Sequence, residues 1–215
     1  MNRTNIGWCD VSWNPVVGCR RGCPWCYAHR IHTVRHRAKI KGARLPNQYS
    51  KPFSAIQFIP ERLNDPDLKS QKPRTIFVGS MSDIEYWKRD HTRLIMQVCA
   101  NHSQHTFMFL SKNPGSYSGF NWPANTMQGL TMTCGQPRQV QDTITGLMAK
   151  YPRPFISIEP LLGELKTNII GFEKIIVGAM TGKDAVAPKK EWIDNIREKI
   201  PEHQIFWKSN IKKYL

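Results

Sequence analysis

The sequence predicts an α/β protein built on a parallel sheet, and three observations carry that expectation. Short β-rich apolar runs recur along the 215 residues, longer amphipathic stretches separate most of them, and no repeat of fixed period or low-complexity tract interrupts the alternation. A first strand is expected at Val16 to Cys19 and a helix at about Tyr27 to Lys41. Thr75 to Gly79 then reads as a buried strand, Arg89 to Asn101 as a helix, and Thr106 to Leu110 and Met127 to Met132 as strands flanking a Pro- and Gly-containing loop, Ser111 to Asn125. A helix at Arg138 to Lys150 and strands at Phe155 to Ile158 and Lys174 to Gly178 follow. A helix at Lys189 to Lys199, opening just after Pro188, and a last strand at Gln204 to Lys208 close the series. Strand and helix alternating five or six times implies helical crossovers, hence an α/β sheet or an open barrel in one domain, 1–215.

Composition excludes several classes. The apolar fraction is 40%, with no run near the roughly 18 apolar residues of a spanning helix. The opening Met1 to Asp10 lacks a signal-peptide pattern, so a soluble, intracellular protein is expected. Thirty-one Lys and Arg against 16 Asp and Glu give a net charge of +15, which points to a polyanionic partner, nucleic acid first. Residues 11 to 60 hold nine basic residues and no acid. A helix that needed only solubility would carry ion pairs there. Arg30, Arg35, Arg37, Lys39 and Lys41 are therefore the expected phosphate contacts. Of the tryptophans, Trp8 and Trp13 are the best candidates to stack on bases.

In parallel α/β folds chemistry gathers beyond the C-terminal ends of the strands. That rim would carry the first cysteines, then Gly79, Ser80, Met81, Ser82 and Asp83, then Ser111 and Lys112, Thr133 and Cys134, Glu159, Met180 and Thr181, and Lys208. Cys19, Cys23 and Cys26 are crowded into eight residues while Cys9, Cys99 and Cys134 stand alone, unlike a secreted disulfide framework. Three thiolates on one short loop can hold an iron–sulfur cubane, which normally takes four, and so leave one iron open. The same thiolates with His29 as fourth ligand would make a closed structural zinc site.

The spacing Cys-x-x-x-Cys-x-x-Cys, with Trp25 before its third cysteine, resembles the signature of the radical S-adenosylmethionine (SAM) superfamily. More narrowly, the opening IGWCDVSWNPVVGC…GCPWCYAHR and the later blocks FVGSMSD, QHTFMFLSKNP, FISIEPLLG, IIVGAMTG and IFWKSN are similar, in order, to a phage- and prophage-associated branch of unassigned substrate.

That resemblance implies a partial (β/α)6 TIM-like barrel of radical SAM type, and a [4Fe-4S] cluster whose open iron chelates SAM. Reductive cleavage then yields a 5′-deoxyadenosyl radical that abstracts hydrogen from the substrate. Carried over to this chain, Cys19, Cys23 and Cys26 ligate the cluster and Trp25 lies near the adenine. Gly79, Ser80, Ser82 and Asp83 stand where the superfamily's Gly-Gly-Glu segment holds the SAM amino group, and Glu159 is a candidate for the ribose or the substrate. Departures from the branch at Cys9 and Cys134 make Cys134 a candidate cavity-facing hydrogen-atom donor. Lys112 and Lys208 are candidates for a phosphate or the SAM carboxylate.

The implied setting is the cytoplasm of a bacterial or phage-infected cell, with a flavodoxin- or ferredoxin-type reductant. The expected function is radical modification or repair of a nucleotide or nucleic acid. A small activase or modifier of a protein partner, and a non-catalytic nucleic-acid-binding module stapled by zinc or an Fe–S cluster, are the alternatives.

Overall fold

The structure, a computed structural model, describes residues 1–4, 6–182 and 184–215. Ten strands and four α-helices follow one another as β1 (Asn2–Arg3), β2 (Val11–Trp13), β3 (Val16–Val17), α1 (Tyr27–Ile40), β4 (Gln57–Phe58), β5 (Thr75–Val78), α2 (Arg89–Ala100), β6 (Thr106–Ser111), β7 (Thr126–Met132), α3 (Arg138–Met148), β8 (Pro154–Ile158), β9 (Lys174–Val177), α4 (Lys190–Lys199) and β10 (Ile205–Trp207). Eight strands form one sheet in the order β1-β2-β5-β6-β7-β8-β9-β10. All pair in parallel except β1, which is antiparallel to β2. The seven parallel strands curl into a half-barrel, so the expected α/β class and parallel sheet are present.

Alternation along each strand divides the apolar residues between the two faces. Val11, Trp13, Ile76, Val78, Phe107, Phe109, Ile156 and Ile158 pack with Ile95 and Cys99 of α2, Met148 of α3, and Ile193 and Ile196 of α4. Their neighbours Phe77, Met108, Met127, Phe155 and Ile176 line the concave face. Residues 6–9 cross the floor of that concavity. The Trp8 ring lies 4.7 Å from Phe77 and 6.2 Å from Phe155, Gly7 abuts Phe206, and Lys174 Nζ donates to the Trp8 carbonyl at 3.3 Å. Trp8 is thus a core plug at 4% exposure, and Trp13, at 1%, donates its indole N–H to the Arg62 carbonyl at 2.8 Å. Neither presents a face for base stacking.

Two expectations about the elements are corrected. The first parallel strand is β2, whereas Val16–Val17 pairs in a separate antiparallel ladder with β4. Pro15 explains the break, because it has no N–H to continue a ladder. The alternation is also incomplete. β6 reaches β7 through a loop with one 3-10 turn, Pro114–Tyr117, and β8 reaches β9 through residues 159–173 without a helix. Buried Tyr117 in the first crossover, and Leu161, Leu165 and Phe172 in the second, cover the sheet where a helix would otherwise lie.

At Gly129 on the concave face a methyl group would stand 2.1 Å from the Phe155 ring. Gly129→Ala is expected to cost about 1–3 kcal/mol through overpacking. The urea midpoint reads this, and an unchanged midpoint would mean that Phe155 swings aside freely.

Candidate functional site

The cysteine loop begins where Gly18 meets the sheet. Its backbone N–H donates to Met81 O at 3.0 Å, its carbonyl accepts from Ser82 Oγ at 2.6 Å, and it bridges Ser82 in parallel register. φ at Gly18 is +104°, and a Cβ there would lie 2.3 Å from the Ala55 carbonyl oxygen, so only glycine fits. Cys19 N–H then donates to Phe53 O at 2.8 Å. At the far end Cys26 caps α1, its sulfur accepting from His29 N–H at 3.3 Å.

Cys19, Cys23 and Cys26 line one pocket of about 290 Å³ together with His29, His36 and Phe53. Among the described residues, no three His, Cys, Asp or Glu side chains converge as the ligands of a single ion do. A Cys3His zinc site needs sulfurs at about 2.3 Å and a nitrogen at about 2.0–2.1 Å from one point. That convergence is missing, although His29 does face the same pocket. Three thiols lining one pocket are a donor set of the kind an iron–sulfur cluster uses. Burial raises the Cys19 thiol, and it raises Cys23 against the opposing influence of the Lys112 ammonium.

An ionic network ties the loop to the sheet. Arg21 pairs with Glu85 and lies 3.9 Å from Asp83, while Asn113 Nδ2 donates to Glu85 at 3.1 Å. Asp83, at 6% exposure, accepts from Ser111 Oγ at 2.6 Å, Glu85 N–H at 3.1 Å and Lys112 N–H at 3.2 Å. Ser80 Oγ donates to Asn14 Oδ1 at 3.1 Å, and Ser82 Oγ accepts from Trp87 Nε1 at 2.9 Å. Gly79, at φ +80°, packs under the Trp87 ring. The segment expected to hold an amino group thus turns its side chains into the protein and presents the Ser80 carbonyl. That carbonyl accepts from Tyr27 OH at 2.7 Å.

On the opposite rim Glu159 pairs with Lys208 and accepts from Ser157 Oγ at 3.0 Å. The absence of a side chain at Gly178 makes room, since a Cβ would fall 2.6 Å from Glu159 Oε1. Trp25 is half-buried within the cysteine loop. Cys134 is placed otherwise than expected. It adopts φ +60°, is 1% exposed and packs in the helix-side core, where burial raises its thiol to about 12. A thiol there does not face the concavity. Cys9 is the one packed against the concave cluster, and burial raises it to about 12 as well.

The five basic residues expected to bind phosphate share α1 and its C-cap but divide between faces. Arg35 donates to Tyr49 OH at 2.6 Å and Lys39 to Leu45 O at 2.6 Å, both towards the 45–50 segment. Arg30, Arg37 and Lys41 are exposed, with no salt-bridge partner among the described residues. The Arg30 guanidinium lies against Gly182, in the loop after β9.

Tyr27, Arg21, Glu85 and Asn14 were not singled out from the sequence. Only Asn14 carried a local signal, the Asn-Pro pair that ends β2. The others meet across 53 to 64 residues of chain, which no local pattern reveals.

A curled parallel α/β sheet with a three-thiol pocket at its C-terminal end is the class of protein defined here. The chain belongs to the family described as protein of unknown function (DUF5131), which matches residues 3–210. Neither the curated proteins nor the solved structures contain a match to it.

Beside the pocket, buried His32 faces Lys51 O with Nε2 at 2.9 Å and has no Nδ1 partner among the described residues, and burial lowers its pKa. The folded state therefore binds fewer protons than the unfolded chain just below pH about 6.5. Stability is expected to fall as pH drops from 7.5 to 5.5. Urea midpoints at the two pH values check it, with His32→Gln reducing the difference in part, since burial also lowers His91 and His105.

Proposed function

We propose that the chain is a radical SAM enzyme acting on a nucleotide or nucleic acid. The observation that carries this reading is the set of three thiols from one loop, Cys19, Cys23 and Cys26, around one pocket at the C-terminal end of a parallel half-barrel. They would hold three irons of a [4Fe-4S] cluster. When bound, that cluster with SAM supplies reductive cleavage to a hydrogen-abstracting 5′-deoxyadenosyl radical.

The chain's own residues position and exclude. Gly18 and the Arg21–Glu85 pair fix the loop, and Trp8 closes the floor of the concavity to water. Buried Ser12, Thr131 and Ser157 give the concave face a polar upper band below Glu159 and Lys208. Tyr27, on Ser80 O, stands at the mouth. Lys208 neutralises Glu159, so the pair can accept a polar ligand with little net charge. A polyanionic substrate suits the net charge of +15. No helix among the described residues is long and apolar enough to cross a membrane. The reading implies a reducing cytoplasm and a flavodoxin- or ferredoxin-type donor.

Anaerobic reconstitution with iron and sulfide, followed by dithionite and SAM, is expected to give a brown protein that releases 5′-deoxyadenosine, and Cys23→Ala is expected to release none. A colourless zinc protein, or a cluster that never cleaves SAM, would sink the enzyme reading.

A further inference from the structure

The least explained surface of the molecule is α1. Its buried contacts are few: only Ala28 and His32 are buried, and it rests mainly on the 47–50 turn instead of the sheet. Among the described residues ten large apolar side chains are exposed, and four of them, Tyr27, Ile31, Val34 and Ile40, belong to this one helix. At 3.6 residues per turn Tyr27, Ile31 and Val34 fall within about 60° of one another, and Arg30, Arg37 and Lys41 form a row directly beside them. Isolated exposed apolar residues need no explanation, but an apolar stripe bordered by unpaired cations does.

Two contacts orient the stripe. Tyr27 OH is fixed on Ser80 O, beyond β5, and the Arg30 guanidinium lies against Gly182, beyond β9. The first turn of α1 therefore spans the mouth of the half-barrel, and the stripe leads outward from it along the helix.

We propose that this stripe is the track of a single-stranded nucleic acid, with bases lying on Tyr27, Ile31 and Val34, phosphates on Arg30, Arg37 and Lys41, and one nucleotide delivered to the mouth. This deepens the proposed function and rests on it for what happens at the mouth. Charge complementarity names the occupant class, because residues 11–60 carry nine cations and no acid. The apolar stripe selects single strands, since a duplex hides its base faces while an unpaired strand offers them. A radical formed at the mouth would in any case reach only a base out of its stack.

Fluorescence anisotropy with the full chain and a labelled mixed-sequence 20-mer, as single-stranded DNA, single-stranded RNA and duplex, tests the track. Single strands are expected to bind at least about tenfold more tightly than the duplex. Ile31→Ser with Val34→Ser, at exposed positions and with folding checked by circular dichroism, should weaken single-strand binding about tenfold without altering its salt dependence. Arg37→Gln with Lys41→Gln should instead lower the slope of log affinity against log salt by about 1.4. Equal binding of duplex, or stripe variants with unchanged affinity, would overturn the proposal. So would a wild-type chain without affinity for nucleic acid at low salt, which would leave the stripe to an acidic protein. The binding readout needs no SAM cleavage, so failure of the track and failure of the enzyme reading are separable.

Discussion

The arrangement at the mouth depends on one backbone contact, the seating of Gly18 between two strands of chain. On one side it pairs with Met81 and Ser82 beyond β5, and on the other it presses against the carbonyls of Phe53 and Ala55. No side chain fits between those surfaces. The cysteine loop consequently starts at a fixed height and direction above the sheet, even though the strand just before it, β3, lies outside the main sheet. If Gly18 moved, Cys19 would lose its bond to Phe53 O, and the wall made by 52–54 would separate from the thiols it helps to enclose.

Polar groups near the mouth are sorted by whether they face inward as structure or outward as chemistry. Asp83, Ser80 and Ser82 look reactive in a linear reading, yet each is bonded to another part of the chain. A carboxylate at 6% exposure demands such partners, because burying a charge without them is costly. Arg21 supplies the compensating charge and links this buried cluster to the thiol loop. The groups left for a ligand are the three thiols, the exposed Tyr27 ring and the Glu159–Lys208 pair.

How much of this was legible in the sequence follows from the range of each interaction. Strands β5 to β10 announce themselves by short apolar runs, and all four helices lie within about two residues of their periodic stretches, because those signals are local. The loop between β6 and β7 was legible from its Pro and Gly, but the count of five or six strand–helix alternations was too high, because Tyr117 and Leu165 cover the sheet from loops that leave no periodicity to read. The cysteine loop was legible through spacing alone. The side that Cys134 takes could also have been read, since it stands two residues beyond Met132 and shares the helix-side core with Leu130 and Met132. Trp8 was not legible, because its role as a floor plug depends on Phe77 and Phe155, 69 and 147 positions away.

The two halves of α1 now have separate reasons for their composition. Its inner face carries His32, His36, Arg35 and Lys39, which donate to or sit against the 45–53 segment and thereby hold the back wall of the thiol pocket. Its outer face carries the stripe and the unpaired cations. A helix with only the first duty would gain from acids at i+4 to its arginines, and a helix with only the second would not need histidines turned inward. Because Cys26 caps the same helix, any ligand that pulls on the outer face also bears on the thiol loop through His29 N–H and the Cys26 sulfur. The proposed track and the thiol loop are thus mechanically joined within 16 residues of chain, Cys26 to Lys41.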